Sequence, residues 1–206
     1  LEIKLANISP EKIIPPEPYV AVPAIQAISY CMNCEELRDM FASLLASAMN
    51  SDKKDDVHPS FVEIIKNLSP LDAKIINFLN LKNNDKIPIV NYQFSKIQRT
   101  SFLQLETGKQ VTGILNHVIL IDDIETNVLK TSTSIHNLER LGLISINYTS
   151  SISDSHLYDR FEKTDLYNEY RSSKSLNPNL EDFEIEIVKG ILKPTPYGML
   201  FSEITA

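Results

Sequence analysis

Lys130-Thr-Ser-Thr-Ser-Ile-His-Asn-Leu-Glu-Arg-Leu-Gly-Leu-Ile144 is the stretch that decides the fold. Thr131 to Ser134 each offer a side-chain oxygen to the unpaired N–H groups of a helix start. Ile135, Leu138 and Leu141 then recur at the three-residue spacing that lines one helical face. Gly142 stands where a residue in the left-handed region closes a helix, since it has no Cβ to clash there. The run predicts a helix over 132–141 that feeds directly into a strand over 143–148. With the apolar stripe inward, Thr133, His136, Asn137 and Arg140 face out, and Lys130 lies just ahead of them. Such side chains can read base edges, phosphates or a protein partner. Lys130, Thr133, His136, Asn137 and Arg140 are therefore the candidate nucleic-acid or partner-binding residues.

Working outward, Phe183-Glu-Ile-Glu-Ile-Val188 alternates with period two and supplies a partner for the strand over 143–148. A helical insertion, near 154–172, separates the two. Upstream, Val90, Tyr92 and Phe94 alternate with Asn91, Gln93 and Ser95 as a half-buried strand does. From Thr112 the helical period is expected to return through Leu115, Val118 and Ile119, then Ile124 and Val128. Ser69-Pro70-Leu71-Asp72 has the form of a helix start: a hydroxyl cap, proline at the first position, and a carboxylate three residues on. Leu37, Met40, Phe41, Leu44, Leu45, Ala48 and Met49 give the cleanest helical stripe, over 36–50. Phe61, Ile64, Ile65 and Leu68 repeat it in a shorter helix with Pro59 near its first turn. Five prolines between Pro10 and Pro23 predict an extended arm at the N-terminus. Pro196 to Ile204 close the chain as a short helix.

Composition narrows the function classes. The chain has 206 residues, 43% hydrophobic and 23% charged, which is a folded chain with a sizeable core. Its 5 glycines disfavour folds built on many tight turns. Its formal charge is −7, divided as −4 over 1–68 and −3 over 69–206, so no basic domain hides behind an acidic one. The one locally basic interval, Lys96, Arg99 and Lys109 against Glu106, is thin for a nucleic-acid binder. Cys31-Met-Asn-Cys34 lacks the second pair of a four-ligand zinc site and reads as reduced thiols; a redox pair is the alternative. No apolar run reaches the roughly 20 residues of a membrane span and no signal peptide is present, so a cytoplasmic location is expected. The start at Leu1 suits a fragment of a longer chain.

Catalytic motifs fail one by one. Gly108-Lys-Gln-Val-Thr-Gly113 has P-loop glycine spacing, but Ile114 and Leu115 stand where Lys and Ser/Thr must meet the phosphates and magnesium. His58, His117, His136 and His156 are isolated along the chain, with no HExxH pair. Asp122-Asp123 suits a metal or equally the positive end of a helix. No GxSxG surrounds any serine. The expectation is no catalytic residue, no cofactor and no metal, leaning against an enzyme; a site assembled only in three dimensions stays open.

Several phrases together carry a family resemblance. Leu44-Leu45-Ala-Ser-Ala-Met49, His58-Pro-Ser-Phe-Val-Glu-Ile-Ile65, Leu68-Ser-Pro-Leu-Asp-Ala-Lys-Ile75, Asn137-Leu-Glu-Arg-Leu-Gly-Leu-Ile144 and Thr195-Pro-Tyr-Gly198 resemble the bacterial Abi-alpha (abortive infection alpha) family, a domain of unknown function. The likeness runs from about Pro15 to Phe201. It implies a bacterial cytoplasmic protein tied to phage defence, and it brings no active-site residues to transfer.

The expected architecture is mainly α (α+β): a Pro-rich arm plus helical region over 1–68, then a winged helix-turn-helix-like domain over 69–206 with a small antiparallel sheet. The expected function is a non-enzymatic protein-binding module in phage defence or stress response. The alternatives are a winged-helix DNA-binding regulator and an effector enzyme with an unrecognised site. A protein partner is expected; DNA and a homo-oligomer are the further partner readings.

Overall fold

The computed structural model describes residues 1–31, 33–79, 86–99, 106–121, 127–173 and 177–206. In chain order these residues form α1 (Glu2–Leu5), α2 (Pro18–Ile28), α3 (Glu35–Ala48), α4 (Ser60–Lys66), α5 (Pro70–Leu79), β1 (Ile87–Arg99), β2 (Glu106–Val118), α6 (Val128–Arg140), β3 (Ile144–Asn147), α7 (Asp165–Ser173), β4 (Glu184–Pro194) and α8 (Pro196–Thr205). Short 3-10 segments lie between them, the longest at Ser155–Lys163. The expected class, mainly α with an antiparallel sheet, is the one observed. The chain divides into two compact units. The first holds Leu1–Asp85, Asn137–Ser145 and Pro194–Ala206, the second Lys86–His136 and Ile146–Lys193.

The first unit is organised on α3. Leu37, Met40, Phe41, Leu44, Leu45 and Ala48 are buried, as their spacing predicts, and α3 packs against α2, α4, α5 and α8. Full burial of each leucine, methionine or phenylalanine side chain is worth about 1.5–3 kcal/mol. Phe61 on α4 meets Phe201 on α8 edge to face at 5.4 Å, and Ser47 donates to the carbonyl of Ile204 at 3.0 Å. The start of α5 is a reciprocal cap. Ser69 N–H donates to Asp72 Oδ2 at 2.7 Å, and Asp72 N–H donates to Ser69 Oγ at 3.1 Å. The extended N-terminal arm is not what forms. Pro18 sits in the first turn of α2, where a missing N–H costs nothing, and Pro23 is tolerated inside it. Val20, Ala21, Ala24 and Ala27 supply the buried face that makes this helix worth forming.

The second unit is built on a sheet of order β2-β1-β4-β3. The 13-residue strands β1 and β2 pair antiparallel, and β1 pairs antiparallel with β4 on its other side. Val90, Tyr92, Val118, Tyr158 and Phe161 form the core, with Leu166, Tyr167 and Tyr170 packed on it. Its phenols are partnered: Tyr92 OH donates to the Phe161 carbonyl at 2.7 Å and Tyr158 OH to the Gly190 carbonyl at 2.8 Å.

The helix expected from Thr112 is instead the second half of β2, and Gly108 to Gly113 lie in the same strand. The register gives the reason. Tyr92 opposes Leu115 and Val90 opposes Val118, so Asn91 alone faces both Asn116 and His117. This β-bulge inserts one residue between two positions that share a face. An apolar spacing of two becomes three and imitates a helix. The Asp122-Asp123 pair and Ile124 lie outside the described residues.

Candidate functional site

Helix α6 carries all five candidate residues and runs from Val128 rather than Ser132. Its cap is Asn127, whose Oδ1 accepts from the N–H groups of Leu129 (3.0 Å) and Lys130 (3.3 Å). The hydroxyls expected at the cap go elsewhere. Thr131 donates to the Val128 carbonyl and Thr133 to the Leu129 carbonyl, back along the helix. Buried Ser132 donates to the Asn116 carbonyl at 2.6 Å, which ties α6 to the bulge of β2. The helix closes as predicted at Gly142, with φ +74°. Gly142 N–H bonds to the Glu139 carbonyl and Leu143 N–H to the Leu138 carbonyl, the paired bonds of a Schellman end.

Lys130, Thr133, His136 and Arg140 are exposed, and Asn137 is half-buried. The Asn137 amide is engaged inside its own unit: Nδ2 donates to the Asn67 carbonyl and to Asp72 Oδ2, both at 3.0 Å. Its Oδ1 accepts from Arg140 Nε at 3.2 Å and Nη2 at 2.7 Å. Asn137 and Arg140 thus share a network that fastens the end of α6, while Lys130, Thr133 and His136 occupy its open side.

The bulge brings together two histidines that the sequence leaves 19 residues apart. His117 is a non-glycine residue with φ +58°, a left-handed conformation that costs about 1–3 kcal/mol and persists only where its surroundings hold it. The holding groups are visible. Asn91 Oδ1 accepts from His117 N–H at 2.9 Å, and His117 Nδ1 lies 3.0 Å from Tyr148 OH. The His117 and His136 rings lie 5.7 Å apart between centroids and 31° from parallel. Glu139 follows His136 by one turn of α6. The description of these histidines as isolated therefore fails in space. Nothing in the sequence around His117 announces the bulge, so only the fold exposes the cluster.

The two lysines of the thin basic interval read from the sequence are paired with carboxylates. Lys96 pairs with Asp182, and Lys109 Nζ lies 2.7 Å from Glu186 Oε1. The bond from Lys109, joined by one from Gln93 at 2.8 Å, holds the Glu186 carboxyl below the usual carboxylate range. An open cleft of about 660 Å³ borders the first turn of α6. Ile121, Val128, Arg160, Lys163, Asp165 and Glu169 line it, with charges of both signs over an apolar floor. Cys31 and Cys34 are both part-exposed and free of any disulfide.

The family model described as abortive infection alpha matches residues 1–205 of the chain. The chain belongs to the abortive infection alpha family. No curated protein and no solved structure matches it. The family match covers both units, including α6 and the His117 bulge, so these features lie inside the family domain. Among the described residues, no helix is long and apolar enough to cross a membrane.

Proposed function

We propose that this abortive infection alpha chain acts in bacterial phage defence as a non-enzymatic module that docks a protein partner through the open side of α6. The pairing of Lys96 and Lys109 with carboxylates carries this reading. Phosphate neutralisation supplies most of the affinity for DNA, and the lysines beside this sheet are already spent on internal partners. A net charge of −7 works in the same direction. Lys130, Thr133 and His136 give the partner a cation, a methyl group and an imidazole on consecutive turns of one rigid helix. The winged-helix DNA regulator is the second reading, supported by the order along the chain of α6, β3 and β4 as a recognition helix followed by wing strands.

A photo-cross-linking amino acid at the exposed position of Thr133, in cells challenged with phage, separates the two. A defined protein adduct that disappears with Lys130→Glu supports docking. Adducts to DNA replace it with the regulator, and no adduct under infection removes α6 as the working surface.

A further inference from the structure

We infer that the outer face of α2 docks a second copy of this chain, giving a two-fold symmetric dimer through antiparallel α2 helices. The inference does not depend on the docking role of α6.

Sequence and packing leave α2 with two apolar faces. No charged residue and no histidine occurs between Glu17 and Glu35. Val20, Ala21, Ala24 and Ala27 are buried, and the helix packs against α3 and α4. The opposite side carries Tyr19 (59% exposed), Val22 (51%) and Ile25 (62%), three residues apart along one stripe, with Tyr30 (89%) just beyond the helix end. A helix that is apolar all round is normally covered all round. Side chains of these sizes, exposed to these fractions, hold about 500 Å² of surface. A patch of that extent marks an interaction site.

Charge and area select a second copy as the occupant. The chain carries a net charge of −7, so two copies repel over most of their surfaces, and the uncharged α2 stripe lets them meet without opposing like charges. Helices that lie on membranes carry lysine and arginine on their polar side, which α2 lacks, and anionic headgroups repel an acidic chain. Two copies together bury about 1,000 Å², the lower bound for a specific contact. The stripe is also self-complementary. With the two-fold axis near Ala24, Val22 of one copy lies level with Gln26 of the other and beside its Ile25, and Tyr19 lies level with Ser29. Ser29 borders an open hollow of about 520 Å³ between α2 and α4, lined also by Pro23, Gln26, Tyr30, Glu63 and Lys66. Tyr19 of the second copy suits that hollow, its ring against Pro23 and Tyr30 and its hydroxyl toward the Glu63–Lys66 ion pair.

The test is sedimentation velocity on the intact chain over roughly 1 to 100 µM, the range of weak specific contacts. A monomer–dimer equilibrium is expected. Ile25→Glu and Tyr19→Ala alter exposed side chains and should each raise the dimer dissociation constant at least about tenfold, while Ile97→Glu, at an exposed position of β1, leaves it unchanged. Cross-linking reads the arrangement independently of those variants. In a Cys31→Ser/Cys34→Ser background, Val22→Cys and Gln26→Cys proteins mixed under oxidation should form mainly the mixed disulfide dimer. A chain that stays monomeric throughout the range overturns the proposal, and if that monomer co-sediments with anionic lipid vesicles the face belongs to a membrane. A dimer that survives Ile25→Glu, dissociates in Ile97→Glu, or cross-links no better in the mixture than in either protein alone overturns it as well.

Discussion

Replacing Asn137 by alanine separates a structural role from a recognition role at the most informative position of α6. Asp72, 2% exposed, receives two hydrogen bonds on Oδ2, from Ser69 N–H and from Asn137 Nδ2, and its Oδ1 has no hydrogen-bond partner. The carboxylate is therefore already under-solvated before anything is removed. Deleting the Asn137 amide takes away a bond to a charged group, worth about 1.5–3 kcal/mol, and a neutral bond to the Asn67 carbonyl, worth about 1 kcal/mol. The Arg140 guanidinium also loses its acceptor, but it is exposed and water replaces that partner. The expected loss is about 3 kcal/mol, measured by urea unfolding followed by far-UV circular dichroism. In an Asp72→Ala background the same substitution should cost only about 1 kcal/mol, because the two side chains are coupled. A loss below about 0.5 kcal/mol in the parent, or the same loss in both backgrounds, would refute the network as the role of Asn137.

Four further substitutions bear on other parts of the structure. A Cβ at Gly198 would meet the Leu143 carbonyl oxygen at 1.9 Å, whereas Gly142 has open space but φ +74°. Gly142→Ala should thus cost about 1–2 kcal/mol in urea unfolding, and Gly198→Ala substantially more or the folded state altogether. Removing the Tyr158 hydroxyl, which donates to the Gly190 carbonyl and accepts from Ile152 N–H, should destabilise by about 1–3 kcal/mol in Tyr158→Phe; thermal unfolding unchanged from the parent would contradict those bonds. His156 is hydrogen-bonded to Asp159, which raises its pKa above the usual histidine value, with Asp154 adding to the shift. Its raised folded pKa makes the ion pair's contribution fully present below the unfolded value and lost as pH rises through the folded one. An NMR titration should place His156 above the ordinary value and return it toward that value in Asp159→Asn.

Much of the fold was legible because several local signals are set by one short stretch of chain. The reciprocal bonds of Ser69 and Asp72, the left-handed Gly142 and the buried stripe of α3 each depend on residues within a turn or two of one another. Their physics does not wait for the tertiary structure. The failures share the opposite property. Proline density argued against α2, yet Pro18 falls in its first turn and buried Val20 and Ala24 compensate for Pro23. Leu115 and Val118 look helical only because a bulge adds a residue opposite Asn91, and a bulge is a property of a strand pair. Asn127 rather than a hydroxyl caps α6, since Ser132 is drawn away by a carbonyl 16 residues upstream.

The candidate site divides along the same line. That α6 would present Lys130, Thr133 and His136 outward follows from helical spacing alone, and so it could be read from the sequence. Asn137 was read as outward too, but its amide finds acceptors 65 and 70 residues earlier, and no periodicity encodes those. His117 was invisible for a deeper reason. A histidine in a strand normally points to one of two faces, and the alternation tells which. At a bulge the left-handed backbone breaks that alternation, so the residue's direction is decided by Asn91 and by the anchoring of Asn116 to Ser132. The clustering of His117 with His136 is therefore a consequence of strand pairing and of helix register together. A position at which two non-local constraints must both hold to place one strained imidazole is poorly explained by packing alone, since a glycine there would relieve the strain. That argument makes His117→Gly the most informative single change: stability measured by urea unfolding should rise or hold, and a fall in stability would assign the strained backbone to the fold.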